Sequence, residues 1–162
     1  MAIRTFGPTP ILKGWSANKR IDFELLDAHD LDNMTARAQG EYYVKGKLRE
    51  RMNKSKAFVL LVGESTKYLR KYVGWEIDLA VELGLPIIVV NLNNKTVMDS
   101  DRCPAKLRDA CVIHIPFKLA AIRYALDNWP AGFRGLDWAE KAKGWRHYPD
   151  LESQWLAERL QA

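Results

Sequence analysis

Ala57-Phe58-Val59-Leu60-Leu61-Val62 is a continuous apolar run closed by Gly63, and Pro86-Ile87-Ile88-Val89-Val90-Asn91 repeats the pattern further along the chain. A strand with one wet face alternates apolar and polar side chains, whereas a strand covered on both faces does not. Both runs therefore predict buried central strands of a mostly parallel sheet. Between them the chain reads as a helix from about Tyr72 to Leu83, stopped by Gly84. On that helix Tyr72, Glu76, Leu79, Ala80 and Leu83 fall at three- and four-residue spacings and share one face. A carboxylate thus stands in a core-like pattern. A buried carboxylate must be hydrogen-bonded, raised in pKa, or turned toward a pocket that a ligand fills. The residue pattern gives equal weight to chemistry and to a glutamate merely capped or paired at the edge of the core.

Outward from this centre, helical and extended patterns alternate as in an open α/β sheet. Ile21-Asp22-Phe23-Glu24-Leu25 predicts a short strand that runs out at Asp27-Ala28-His29-Asp30. Glu41 to Asn53 predicts a helix with Val44, Leu48 and Met52 on one side. After the second apolar run come a polar loop from Asn93 to Cys103, a last edge strand at Val112-Ile113-His114-Ile115-Pro116, and a helix from Lys118 to Trp129 with Ile122, Leu126 and Trp129 on one side. Beyond Pro130 the composition changes, with Trp138, Trp145 and Trp155 set among charges and Leu156 and Leu160 at helical spacing. The expected division is a domain over 1–129 and a helical carboxyl-terminal extension over 130–162, which either wraps the domain or offers a face to a partner.

Composition narrows the function classes. The hydrophobic share of 48% over 162 residues suits one globular domain. The longest apolar run is too short for a bilayer and the amino terminus lacks a signal-peptide pattern, so a cytoplasmic protein without membrane contact is expected. Cys103 and Cys111 have no metal-ligand spacing and read as free thiols; no metal site is expected. The net charge of +5 comes from clusters such as Lys45, Lys47, Arg49, Arg51, Lys54 and Lys56. These attract anions, but they also fit the solvated faces of helices, and no nucleic-acid-binding signature accompanies them.

In open parallel sheets, ligands bind beyond the carboxyl ends of the strands. Asp27-Ala28-His29-Asp30, Gly63-Glu64-Ser65-Thr66 and Glu76 are the polar groups expected to gather there. The absence of a G-x-G-x-x-G or Walker pattern argues against a dehydrogenase, and Ser65 has no nucleophile-elbow context. His114, within a strand, reads as a satisfied core histidine, and Trp75 as core packing.

Lys47-Leu48-Arg49-Glu50-Arg51-Met52-Asn53-Lys54-Ser55-Lys56 leading into the first apolar run, then Trp75-Glu76-Ile77-Asp78-Leu79-Ala80, then Leu85-Pro86-Ile87-Ile88-Val89-Val90, resembles a Toll/interleukin-receptor-like (TIR-like) domain. The resemblance covers about Trp15 to Trp129 and is narrowest to the bacterial and archaeal group that includes the ThsB component of Thoeris anti-phage systems, for which Asp27-Ala28-His29-Asp30 is also typical. It implies a flavodoxin-like three-layer fold. Active members cleave NAD at the nicotinamide–ribose bond, some releasing a cyclic ADP-ribose signal that switches on an effector protein. By this resemblance Glu76, in the W-E-I position, is the catalytic residue, and NAD is a substrate rather than a cofactor. Asp27, His29, Asp30, Ser65 and Thr66 are the candidates to hold the nucleotide, and a homo-oligomer is allowed. Family members begin with an apolar strand well before the position of Trp15, whereas fourteen residues precede it here. Ala2-Ile3-Arg4-Thr5-Phe6 is then a shortened first strand, or that strand is missing. Two alternatives stand beside the enzyme: a TIR-like interaction or ligand-sensing module without turnover, and a nucleoside deoxyribosyltransferase-like enzyme using the same glutamate.

Overall fold

A computed structural model of the protein describes residues 2–5, 24–27, 36–64, 66 and 71–148. The first apolar run forms β3 (Phe58–Val62) and the second β4 (Ile87–Asn91), paired in parallel from Phe58↔Ile87 to Val62↔Asn91. β5 (Ile113–Pro116) pairs in parallel with β4, and β6 (Arg146–His147) in parallel with β5. The shortened first strand exists as β1 (Ala2–Thr5), paired in parallel with β2 (Glu24–Asp27). The strands form a two-stranded sheet, β1-β2, and a four-stranded sheet in the order β3-β4-β5-β6, with β1 lying alongside β3.

Helices cover both faces of the central strands, which is why β3 is apolar throughout and β4 at every position but its last, Asn91. Val59, Leu61, Ile88, Val90, Ile113 and Ile115 meet Ala121, Ile122, Ala125, Leu126 and Trp129 of one helix, α4 (Leu119–Gly135). The alternate residues Phe58, Leu60, Val62, Ile87 and Val89 meet α1 (Ala36–Asn53), α2 (Lys71–Glu82) and the short α3 (Ala105–Arg108). A parallel sheet between two helical layers is the flavodoxin-like arrangement. Each buried aliphatic side chain contributes about 1.5–3 kcal/mol by leaving water, so these two interleaved sets hold the three layers together.

Chain punctuation follows the physics of the backbone. Gly84, at φ +65°, ends α2 in a left-handed turn in which Leu85 N–H reaches the Ala80 carbonyl at 2.9 Å and Gly84 N–H the Val81 carbonyl at 3.1 Å. Gly40, at φ +74°, breaks the start of α1, so its continuous part begins close to the expected Glu41.

Three expectations are corrected. β2 runs past Leu25 to Asp27, paired with β1 from Glu24 to Asp27; residues 21–23 lie outside the described residues. β5 is no edge strand, since β6 covers its outer side. The last long helix does not stop at Trp129 but carries Pro130 inside it to Gly135. Proline withholds one helical hydrogen bond, and burial of Trp129 and Pro130, with the Trp129 ring tilted against Phe133 at 5.8 Å between centroids, offsets that loss. A short helix α5 (Trp138–Lys141) follows, capped by the Asp137 carboxylate on the Glu140 N–H at 2.8 Å. The expected Leu151 to Leu160 pattern lies outside the described residues. Among the described residues no helix is long and apolar enough to cross a membrane.

Candidate functional site

The site is built on the β3–loop–α2 unit. β3 delivers the chain to Gly63, where the Gly63 N–H donates to Thr66 Oγ1 at 2.8 Å and the Thr66 N–H returns to the Gly63 carbonyl at 3.3 Å. This reciprocal turn is tight because β4 ends beside it. A Cβ on Gly63 would come within 3.2 Å of Leu92 Cδ1. From this loop the chain enters α2, whose sheet-facing side carries Val73, Glu76, Ile77 and Ala80. Glu76 is 2% exposed, the one acidic residue among apolar neighbours on that face. The predicted burial of Glu76 holds, but the face is rotated slightly from the expected one, since Leu83 is only half-buried. Trp75 is half-buried against the same core, with Lys45 Nζ 4.3 Å from its ring centroid.

The loop after β4 forms the neighbouring wall. Asn91, fully buried at the last position of β4, donates through Nδ2 to the carbonyls of Lys95 and Val97, both at 2.9 Å. Asp99, also buried, accepts from Asn93 Nδ2 at 2.8 Å and from the backbone N–H groups of Asp101 and Arg102 at 2.9 and 3.2 Å. Burial works to raise the Asp99 carboxyl. The Asn93 amide, the two backbone donors and the Lys95 ammonium outweigh it and hold the group below the usual aspartate range. Arg102 in turn reaches Glu64 of the β3–α2 loop, Nη2 to Oε1 at 3.5 Å. On the other side, Lys106 of α3 bonds Asp78 of α2 at 2.6 Å and passes 3.7 Å from where a Cβ on Gly74 would stand.

Of the residues singled out in the sequence, Glu76 lies on α2, Thr66 in the turn with Gly63 after β3, and Asp27 is the last residue of β2. His29, Asp30 and Ser65 lie outside the described residues. His114 is corrected in one respect. It is fully buried, but neither ring nitrogen has a hydrogen-bond partner among the described residues, where a satisfied core histidine was expected. Among the described residues no group of three His, Cys, Asp or Glu side chains is placed to hold a metal ion.

A cavity of about 330 Å³ opens at the opposite edge of the sheet, beside the amino ends of β4 and β5, and is lined chiefly by apolar groups such as Leu85, Ile87, Val112, Phe133 and Trp138. Its charged lining residues are Asp109 and Lys141, and none of the site residues singled out in the sequence lines it.

The family model of the Thoeris protein ThsB, TIR-like domain, matches residues 9–97, more than half of the chain. The chain belongs to this ThsB TIR-like family. A search of curated proteins finds no match. The matched segment of the ThsB TIR-like domain takes in β2, α1, β3, α2 and β4, and hence Glu76 and both loops of the predicted site. It starts before Trp15 and stops short of Trp129, where the resemblance was expected to end.

Sequence reasoning passed over Asn91, Asp99 and Arg102 in this ThsB TIR-like domain. The segment from Asn93 to Cys103 was legible as a polar loop. Its side chains bond backbone groups of that same loop, and such local pairing leaves no periodic trace.

Proposed function

We propose that the protein is an NAD-cleaving signalling enzyme of Thoeris-type antiviral defence, with Glu76 as its catalytic residue. The observation that carries this reading is the burial of a carboxylate in the W-E-I position, on the helix fed by the loop at the carboxyl end of β3. Cleavage of the nicotinamide–ribose bond sends the bonding electron pair to the pyridinium nitrogen. Nicotinamide leaves neutral, so no general acid is needed, and positive charge develops on the ribose. A carboxylate held among apolar side chains interacts strongly with that charge because little water screens it. Water then completes hydrolysis, or a nucleophile of the same nucleotide closes a cyclic ADP-ribose product that reaches a downstream effector protein.

Asp27, His29, Asp30, Ser65 and Thr66 are proposed to hold the nucleotide. Thr66 is suited to it, since its oxygen accepts from Gly63 and its hydroxyl proton remains available to a ligand oxygen. NAD is the substrate and no further cofactor is invoked. The reading entails a cytoplasmic protein, where NAD is supplied, and is compatible with a homo-oligomer.

The test is nicotinamide release followed by chromatography, using concentrated protein so that any assembly can form. Glu76→Gln keeps the shape and removes the charge, and turnover is expected to fall roughly 100- to 1,000-fold with an unchanged circular dichroism spectrum. Equal turnover by the two proteins would dismiss Glu76 as the catalyst.

A further inference from the structure

The arginines of the described surface are not equivalent. Arg49 pairs with Glu82 at 2.7 Å near the end of α2, and Arg134 donates to the Lys56 carbonyl just ahead of β3. Arg146 is tied to both the carbonyl and the carboxylate of Glu140 at 3.0 and 2.9 Å. All three fasten elements at the amino edge of the sheet. Arg102 stands at the carboxyl edge, beside the loop that feeds the Glu76 helix.

Its main chain and its side chain are held very differently. The Arg102 N–H is fixed on the buried Asp99 carboxylate, and the next residue repeats the anchor, Cys103 N–H to the Asp99 carbonyl at 2.8 Å. The guanidinium, by contrast, meets one carboxylate oxygen at 3.5 Å, and that carboxylate, Glu64, is 85% exposed. The Arg102 side chain itself is 27% exposed, and an ion pair whose acidic partner stands in water is largely screened and holds it weakly. A fixed base with a loosely engaged cationic head is built to exchange one anion for another. The incoming anion that matches a planar fork of donors is a phosphate, which takes two parallel N–H bonds.

We propose that Arg102 receives the diphosphate of the dinucleotide and leaves Glu64 to do so. The inference rests on the NAD reading above. In a dinucleotide the diphosphate lies beyond the ribose that reacts, so its cation must stand away from Glu76 yet on the same edge of the sheet. Arg102 meets both conditions through Glu64, the neighbour of Gly63 in the loop leading to α2. No covalent bond changes in this step. Glu64 fills the place of the phosphate until substrate arrives and is displaced by it.

Binding of ADP-ribose to the Glu76→Gln protein, read by calorimetry, separates this inference from turnover. Adding Arg102→Gln is expected to weaken ADP-ribose binding roughly 10- to 100-fold while leaving adenosine, which lacks the diphosphate, unaffected. Adding Glu64→Gln instead is expected to tighten ADP-ribose binding up to about fivefold, because the competing carboxylate is gone. Equal ADP-ribose affinity with and without Arg102, or no ADP-ribose binding to the Glu76→Gln protein, overturns the proposal. If ADP-ribose binding follows Arg102 while wild-type protein leaves NAD intact, this inference stands and the cleavage reading falls. If NAD is cleaved while ADP-ribose binding ignores Arg102, the reverse holds.

Discussion

Replacing His114 by leucine is expected to remove about 2 kcal/mol of the stability that the protein loses between pH 7 and pH 5. His114 sits in the middle of β5 with 0% exposure, its ring edge-on to Trp145 at 5.8 Å and its main chain in register with His147 of β6. Burial pushes its pKa down from 6.5 to about 4, and the charge of His147 acts in the same direction. In the unfolded chain the imidazole takes up its proton near the ordinary value; in the native state it resists until the pH is far lower. Between these limits the unfolded state holds more protons, so stability falls as pH falls. Below both values the penalty reaches about 3 kcal/mol, of which about 2 kcal/mol accrues between pH 7 and pH 5. Urea unfolding of the wild type and of His114→Leu at the two pH values measures it, because contributions from groups that do not interact with His114 cancel in the double difference. The wild type is expected to lose about 2 kcal/mol more than the variant. At pH 7 the variant should be at least as stable, since leucine buries no unbonded nitrogen. Parallel losses in the two proteins would refute the reasoning.

Two further outcomes can be checked with the same purified protein. Asp99→Ala strands the Asn93 amide and two backbone N–H groups and is expected to cost about 2 kcal/mol in a thermal melt; the wild-type contribution of this low-pKa carboxylate persists above the ordinary aspartate range and is lost on acidification through its native pKa. A thiol-reactive chromogen at pH 8 is expected to titrate Cys111 in the native protein and Cys103 only after unfolding, because Cys111 is half-buried whereas Cys103 is fully buried and burial pushes its thiol up to about 11; equal labelling rates would count against that environment.

The strands that organise this fold were legible because they are buried on both faces. Phe58 to Val62 and Ile87 to Val90 have no polar position to hide, and continuous apolar runs of that length admit few other readings. Glu76 was legible for the converse reason, as a charge at a spacing reserved for core residues. What escaped were features decided by distant partners. Arg146 and His147 carry no strand pattern and are extended only because β5 offers them a free side. Pro130 reads as a stop locally, and the packing of Trp129 and Phe133 overrides it. The unbonded state of His114 could not be read either, since burial follows from periodicity but the supply of partners does not. At the site, the β4 loop network depends on side chains that choose backbone acceptors within a few residues, a choice that composition leaves open.

The two-residue strand β6 settles how this sheet meets other chains. Without it β5, fully buried at every position, would present a bare ladder of N–H and carbonyl groups backed by Ile113 and Ile115, an invitation to foreign strands. Arg146, bonded on one side to Glu140 and on the other through its N–H to the Val112 carbonyl at 2.8 Å, acts as a selvedge that stops the weave. Trimming the chain ahead of Arg146 would turn a finished border into a template for aggregation.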